Sequence, residues 1–253
     1  MAALYDTLGR DYALWRQPDP RIRFAILDAL GHAKSAVNVG AGAGSYEPTD
    51  RPVVAVEPSL LMVAQRQPDT APALLGTAAA LPFASRSFDA SLAVLTLHHW
   101  GDWEAGVREL ARVARRRVVL LVHDWAAPGF LDFWLLHDYL PGLLEAGRLG
   151  GPPIEELCAV LGGRTEVVPV PADCADGFLS AYWRRPEFYL DAAARAAIFA
   201  FHALPEGATS EGVARLAADL ASGAWAECNA ELLDLDSLDL GYWLVVAEVG
   251  GEA

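Results

Sequence analysis

Cysteine is scarce. The three thiols, Cys158, Cys174 and Cys228, are odd in number, scattered and without a C-x-x-C pair, which excludes a disulfide framework, a zinc knuckle and dithiol redox chemistry. Basic residues are also in short supply: Lys+Arg 19 against Asp+Glu 33 leaves a net charge of −14, which repels phosphate backbones and argues against nucleic acid as a partner. No apolar run approaches the roughly 20 residues of a membrane span, and the opening Met1-Ala-Ala-Leu-Tyr-Asp6 has no basic stretch ahead of a hydrophobic one. A cytoplasmic protein without membrane contact is the expectation. Repeats and low-complexity tracts are missing, and no His, Cys or Asp cluster has metal-ligand spacing, so no metal is expected. What is present suits a globular protein: 53% hydrophobic residues, with 22 Gly and 16 Pro as punctuation. That is too apolar for disorder and too interrupted for a coiled coil. A chain of 253 residues folded as one body buries roughly three-quarters of its unfolded surface.

Organisation is read from alternating helix-like and strand-like segments. Ile22, Ala25, Ile26 and Ala29 make one helical face, stopped by Gly31. Short β-branched runs follow at 36–39, 53–56, 73–75, 88–95 and 118–123, with stretches between them long enough for crossovers, which predicts parallel strands covered on both faces. Ahead of the fifth run, Asp102 can cap a helix whose Trp103, Val107, Leu110, Ala111 and Ala114 face the sheet. Arg115, Arg116 and Arg117 are expected to close that helix, where positive charge suits its C-terminus. Beyond His123 the pattern predicts helices over 130–148, 154–161, 191–203 and 210–221, and strands over 165–170 and 240–248. The expected fold is α/β and Rossmann-like, a mostly parallel sheet with helices on both faces and a helical lid inserted before the last strand. It forms a single domain over 1–253, with a cofactor core at 33–125 and acceptor or lid segments at 128–162 and 171–235.

The sharpest local signal is Val37-Asn-Val-Gly40-Ala-Gly42-Ala-Gly44, a strand running into a glycine turn. Glycines there permit positive φ and let a ligand approach bare main chain. Glu57 ends the next strand, where a carboxylate can accept from both hydroxyls of a ribose. The fold therefore binds a nucleoside. The dinucleotide pattern G-x-G-x-x-G needs a third glycine at Ser45 or Glu47, and neither register works. Pro48 also stunts the helix after the turn. A pyrophosphate wants a full helix N-terminus, whereas S-adenosylmethionine carries no phosphate.

Further motifs are Ala55-Val-Glu-Pro-Ser59 with Met62, Gly76-Thr-Ala-Ala-Ala-Leu-Pro-Phe83, Ser87-Phe-Asp89, and Leu97-His-His-Trp100 followed by Arg108-Glu-Leu-Ala-Arg-Val113. On these residues the chain resembles the class I S-adenosylmethionine-dependent methyltransferases, in the type 11 subgroup, over roughly residues 5–124. The resemblance implies a seven-stranded sheet with the last strand antiparallel and S-adenosyl-L-methionine across the carboxyl ends of the first strands. Carried over by position, it implies that Gly40 and Gly42 line the methionine part, Glu57 the ribose, and Met62 with Pro58 the adenine, with Thr77, Ala78 and Leu97 completing the contacts. It also implies that the N-terminal stretch folds over the cofactor, with Tyr5, Tyr12 and Arg16 near its methionine end and Arg16 paired with the carboxylate. The chain departs from the family pattern at Asn38, Thr77 and Ala79, where acids are usual. Thr77 Oγ1 can still accept from an adenine amino group, without charge assistance.

Methyl transfer is an in-line displacement, and much of its catalysis comes from positioning in a dry pocket. A hydroxyl or acidic carbon benefits from a base, and the candidates are His98 after the fourth strand and His123 ending the fifth. Adjacent His98 and His99 cannot both point into one site. Trp100, Trp125, Phe130, Trp134 and Tyr139, with the aromatics of 171–235, are candidates to wall an apolar acceptor pocket. The sequence thus predicts methylation of a small, largely apolar or aromatic molecule on oxygen, nitrogen or carbon by a monomer or homodimer. Cofactor affinity is expected in the first 125 residues and acceptor specificity beyond them. The alternatives are a non-methylating enzyme that uses S-adenosylmethionine structurally or electrostatically, a binding module, and a NAD-dependent dehydrogenase, which the misplaced glycine opposes.

Overall fold

The computed structural model describes residues 12–147 and 151–250. Seven strands, β1 (Ala36–Val39), β2 (Val53–Glu57), β3 (Ala73–Leu75), β4 (Phe88–Val94), β5 (Ala114–His123), β6 (Arg164–Val167) and β7 (Tyr242–Glu248), form one sheet. Their order is β3-β2-β1-β4-β5-β7-β6. The first five are parallel, while β7 runs antiparallel to both β5 and β6. This order reverses direction at β1, and ligands of open α/β sheets bind at such a point, outside the carboxyl ends of the strands.

Helix α1 (Pro20–Leu30) starts on Pro20 and is capped by Asp19, whose side chain accepts from the Arg21 amide. Its buried Ile22, Ile26 and Leu30 belong to the core on one face of the sheet. Helix α3 (Trp103–Val113), capped by Asp102 on the Ala105 amide, and α4 (Ile154–Leu161) cover the other face. Helix α3 runs directly into β5, so Arg115, Arg116 and Arg117 open the strand instead of closing the helix. The ladder with β7 extends to Arg117, which pairs with Glu248 at 2.6 Å and donates to the Ala29 carbonyl at 2.7 Å. Arg117 is thus explained by its strand partners, and Arg115 by Asp89 at 3.5 Å.

The stretch 130–148 is not one helix. A turn at Pro128–Leu131 leads to a π-helical turn at Leu135–Tyr139 and a short helix at Gly142–Gly147. Pro141, with no N–H to donate, separates the last two. Likewise 191–203 divides into Ala192–Ala196 and a 3₁₀ turn at Phe199–Ala203, while α5 (Glu206–Ser222) is longer than predicted and ends at Gly223, whose φ is 85°. A two-residue antiparallel ladder, Val170–Pro171 with Ser237–Leu238, fastens the two ends of the insertion together. Within it Phe178, Tyr182, Trp183 and Tyr189 are buried with Phe130, Trp134 and Tyr139 in one aromatic core. Trp134 Nε1 donates to the Trp183 carbonyl at 2.8 Å, tying segment 128–162 to segment 171–235.

Candidate cofactor site

A cavity of about 310 Å³ opens at the carboxyl ends of β1, β2 and β4. Of the expected cofactor residues, Arg16, Gly40, Gly42, Glu57, Pro58, Met62, Thr77 and Ala78 all line it. Tyr5 lies outside the described residues. Tyr12 opens a single helical turn, Tyr12–Trp15, that leads into Arg16. Leu97 does not line the cavity; its side chain is buried in the core beneath α3. The 3₁₀ turn at Leu97–His99 directs Leu97 inward and brings His99 to the cavity.

Gly40 has φ of 67°, and a Cβ there would collide with Thr96, within 2.8 Å of its Cβ and Cγ2. Only glycine lets the loop pack on the end of β4. Leu95, beside Thr96, itself holds a left-handed φ of 48°, a conformation that costs a non-glycine residue energy and concentrates at functional sites. No helix follows the glycine turn; the chain runs through turns until β2. The loop is held instead by a buried carboxylate. Glu47 accepts from Arg66 Nη2 at 2.6 and 2.7 Å, from the Ala71 amide at 3.1 Å and from Asn38 Nδ2 at 3.2 Å. Arg66 also donates to the Gly42 carbonyl. In the sequence Glu47 is visible only as the residue that spoils a dinucleotide glycine, and its partner Arg66 lies beyond the next strand.

Glu57 is 6% exposed. Its Oε2 accepts from the Gly42 amide at 2.8 Å and its Oε1 from the Ser59 amide at 2.9 Å. A carboxylate with about four acceptor sites can hold the loop and a ribose together. Ser59 in turn caps α2 (Leu60–Ala64), which sets Met62 into the cavity wall. Asn38 is buried and lines the cavity, and its Oδ1 has no hydrogen-bond partner among the described residues. Buried polar atoms are rarely left unsatisfied. An unsatisfied acceptor on a residue of the cavity wall fits the amino-acid end of S-adenosylmethionine, as the glycine cradle fits its approach.

Arg16 reaches the cavity already engaged. Its Nε donates to Asp176 Oδ1 at 2.6 Å and its Nη2 to Oδ2 at 3.4 Å. Asp176 was invisible to sequence reasoning, since 160 residues separate the pair.

Neither histidine expected to serve as a base lines the cavity. His98 packs beside Gly151, its ring 3.8 Å from that of His99 and 6.2 Å from Phe199. His123 is boxed by Trp125, Phe130 and Tyr242, with ring centroids 4.3–5.1 Å away, and its Nε2 hydrogen-bonds the Leu240 carbonyl at 3.0 Å. These are the surroundings of a structural imidazole that joins β5 to the turn before β7. Trp100 does line the cavity, whereas Phe130, Trp134 and Tyr139 are core. Among the described residues, no three His, Cys, Asp or Glu side chains gather as metal ligands do, and no helix is long and apolar enough to cross a membrane.

Burial holds all three imidazoles neutral. It lowers His98 to about 4, helped by the charge of Arg16, and His123 to about 3, against the hydrogen bond to Leu240. His99 falls to about 2 through burial and its neighbour His98. The unfolded chain, whose histidines titrate near 6.5, then binds more protons than the folded one below that pH. Stability is fully present above pH 6.5 and falls as pH drops toward the folded values. At pH 5.5 each such histidine contributes a slope of about 1 kcal/mol per pH unit. The urea midpoint is expected to decline from pH 7 to 5, and His123→Gln to flatten that decline by about this amount. An unaltered slope in the variant means that His123 ionises normally in the folded protein.

Comparison with known proteins agrees with this geometry. A family model described as a methyltransferase domain matches residues 37–122. A protein from Anabaena variabilis ATCC 29413, described as a methyltransferase from an antibiotic biosynthesis pathway, is 33% identical, with a TM-score of 0.82 over 92% of this chain and 98% of that one. The demethylmenaquinone methyltransferase of Corynebacterium efficiens is 31% identical over 163 residues, 57% of this chain and 68% of the relative. That of Corynebacterium kroppenstedtii is 27% identical over 145 residues, and there the chain spans only 61% of the relative's length. With this strand order, a relative 33% identical over nearly its whole length and a methyltransferase family model over β1 to β5, the chain belongs to the class I S-adenosylmethionine-dependent methyltransferases.

Proposed function

We propose that the protein transfers a methyl group from S-adenosylmethionine to a small, largely apolar or aromatic molecule. The observation that carries this reading is the convergence of Gly40, Gly42, Glu57, Met62 and Thr77 on one cavity that Asn38, with its unsatisfied Oδ1, also lines. When bound, the cofactor supplies a methyl carbon on a positively charged sulfur, open to attack by an acceptor lone pair. In this reading Glu57 accepts from the ribose hydroxyls, Met62 and Pro58 pack on the adenine, and Thr77 takes its amino group. Asn38 Oδ1 accepts from the ammonium of the methionine part, and Arg16 meets the carboxylate.

The acceptor side is supported by the ring of Phe199, from the insertion, lying 5.0 Å from that of His99. His99 borders the cavity, and the His98 ring lies 3.8 Å behind it at a tilt of 54°. Burial holds His99 neutral and only weakly basic, so its part is to accept a hydrogen bond from an acceptor hydroxyl and orient it, not to carry the proton away; an amine acceptor needs no base. The names of the demethylmenaquinone methyltransferases favour a small-molecule acceptor over a macromolecule. A cytoplasmic location, a monomeric or homodimeric form and a lid action for 171–235 belong to the same proposal.

Calorimetry tests the cofactor half. S-adenosylmethionine and S-adenosylhomocysteine are expected to bind with a Kd of roughly 10 μM or tighter, and NAD not at all; NAD binding alone overturns the reading. Formation of S-adenosylhomocysteine with a panel of apolar hydroxy-aromatic and amino-aromatic acceptors tests the transfer half. Tight binding with the methyl group retained while an acceptor is otherwise transformed favours the non-methylating alternative.

A further inference from the structure

We propose that Asp176, in the helical insertion, is a positioning residue of the cofactor site, acting through Arg16. The inference rests on the reading above, in which Arg16 meets the carboxylate of the methionine part.

Asp176 is fully buried. It takes the Nε and Nη2 edge of Arg16 at 2.6 and 3.4 Å, and it accepts from the Tyr46 hydroxyl at 3.0 Å. The backbones meet as well: Arg16 and Asp176 form an antiparallel bridge, and the Gly177 amide donates to the Trp15 carbonyl at 3.0 Å. A Cβ on Gly177 would stand 2.7 Å from that carbonyl oxygen and 2.6 Å from the Tyr182 hydroxyl, so only glycine permits the approach. Ser45 Oγ donates to the Arg16 carbonyl at 3.0 Å. Arg16, Ser45 and Tyr46 all line the cavity. One carboxylate from the insertion thus clasps the N-terminal segment and the glycine loop at the same point.

A guanidinium presents five N–H donors in one plane. Holding it by one edge fixes where the remaining donors point, which a lysine held at a single point would not achieve. Asp176 therefore aims Arg16 along the cavity wall, and its burial keeps water from competing for the pair. The division of labour expected from the sequence, with cofactor affinity confined to the first 125 residues, does not hold under this proposal.

The test uses the full chain and two ligands that differ in the part concerned. S-adenosylhomocysteine carries the amino-acid carboxylate; 5′-methylthioadenosine shares the nucleoside and sulfur but lacks it. By calorimetry, Asp176→Asn is expected to weaken S-adenosylhomocysteine at least tenfold while leaving 5′-methylthioadenosine within threefold. Arg16→Ala should show the same selective loss, and adding Asp176→Asn to it should cost less than a further threefold. Equal weakening of both ligands, or unchanged S-adenosylhomocysteine binding, overturns the proposal. If Asp176→Asn does not fold, Arg16→Lys serves in its place, because it keeps the charge but cannot be held by two nitrogens; unchanged S-adenosylhomocysteine affinity then overturns the proposal. A wild-type protein that binds neither nucleoside sinks the cofactor reading itself, a different result from either of these.

Discussion

Replacing Glu57 with alanine is expected to weaken S-adenosylhomocysteine binding by about 2–4 kcal/mol, on the order of 30- to 1,000-fold. In the proposed reading, two charge-assisted hydrogen bonds to the ribose go at once. The loss extends to the protein itself, because the Gly42 and Ser59 amides at 2.8 and 2.9 Å lose their acceptor. Unpaired, these donors let the glycine loop and the first turn of α2 drift from the geometry the ligand needs. Glu57→Gln should be nearly as damaging, since an amide offers one N–H face to donors that both need an oxygen. Calorimetry on both variants checks this, and a change under threefold for alanine would remove Glu57 from the site.

Replacing Arg66 with methionine is expected to cost about 3–5 kcal/mol of folding stability. Arg66 and Glu47 have side chains only 5% and 4% exposed, and removing the cation leaves a buried carboxylate without its counter-charge. Arg66 also donates to the Gly42 and Ala71 carbonyls at 3.1 and 2.8 Å, so the loop loses its two holds on Arg66, at Gly42 and Glu47, together with the tie to the residues before β3. Adding Glu47→Gln to the variant should recover part of the loss, because breaking a buried pair is costlier than replacing it. Denaturant unfolding measures both, and a loss below about 1 kcal/mol for Arg66→Met would mean that water or another donor reaches Glu47.

Much of the sheet was legible because its strands are continuous β-branched runs between glycine and proline stops, and α1 and α3 because their apolar residues keep one helical face. Arg115 to Arg117 misled because a helix C-terminus and an exposed strand start both welcome cations; only the ladder with β7 decides between them. The helix predicted over 130–148 overlooked what Pro141 does to the hydrogen bonds of its own turn. In the site, the glycines, Glu57 and Met62 were readable since they lie at fixed positions along local motifs. The choice between His98 and His99 was not, because a single 3₁₀ turn settles which ring faces the cavity. Asp176 could not have been found at all: nothing in the neighbourhood of either Arg16 or Asp176 announces a partner so distant in the chain. The aromatics of the insertion were read as candidates for a pocket wall, and most are core, the commoner fate of large apolar side chains.

The ladder joining Val170–Pro171 to Ser237–Leu238 makes the insertion a detour that leaves and rejoins the sheet at one place. Seen from β6 and β7, everything between is a loop whose ends are already closed, and closing a loop twice as long costs only about 0.6 kcal/mol more. Related chains can therefore lengthen, shorten or exchange α5 and its neighbours without moving the register of β7. That freedom does not reach the start of the detour, where Asp176 is committed to Arg16 and Tyr46 and Gly177 to Trp15, nor Trp183, which is tied to Trp134. The detour thus divides into a stub fastened to the cavity rim and a remainder that is free to vary.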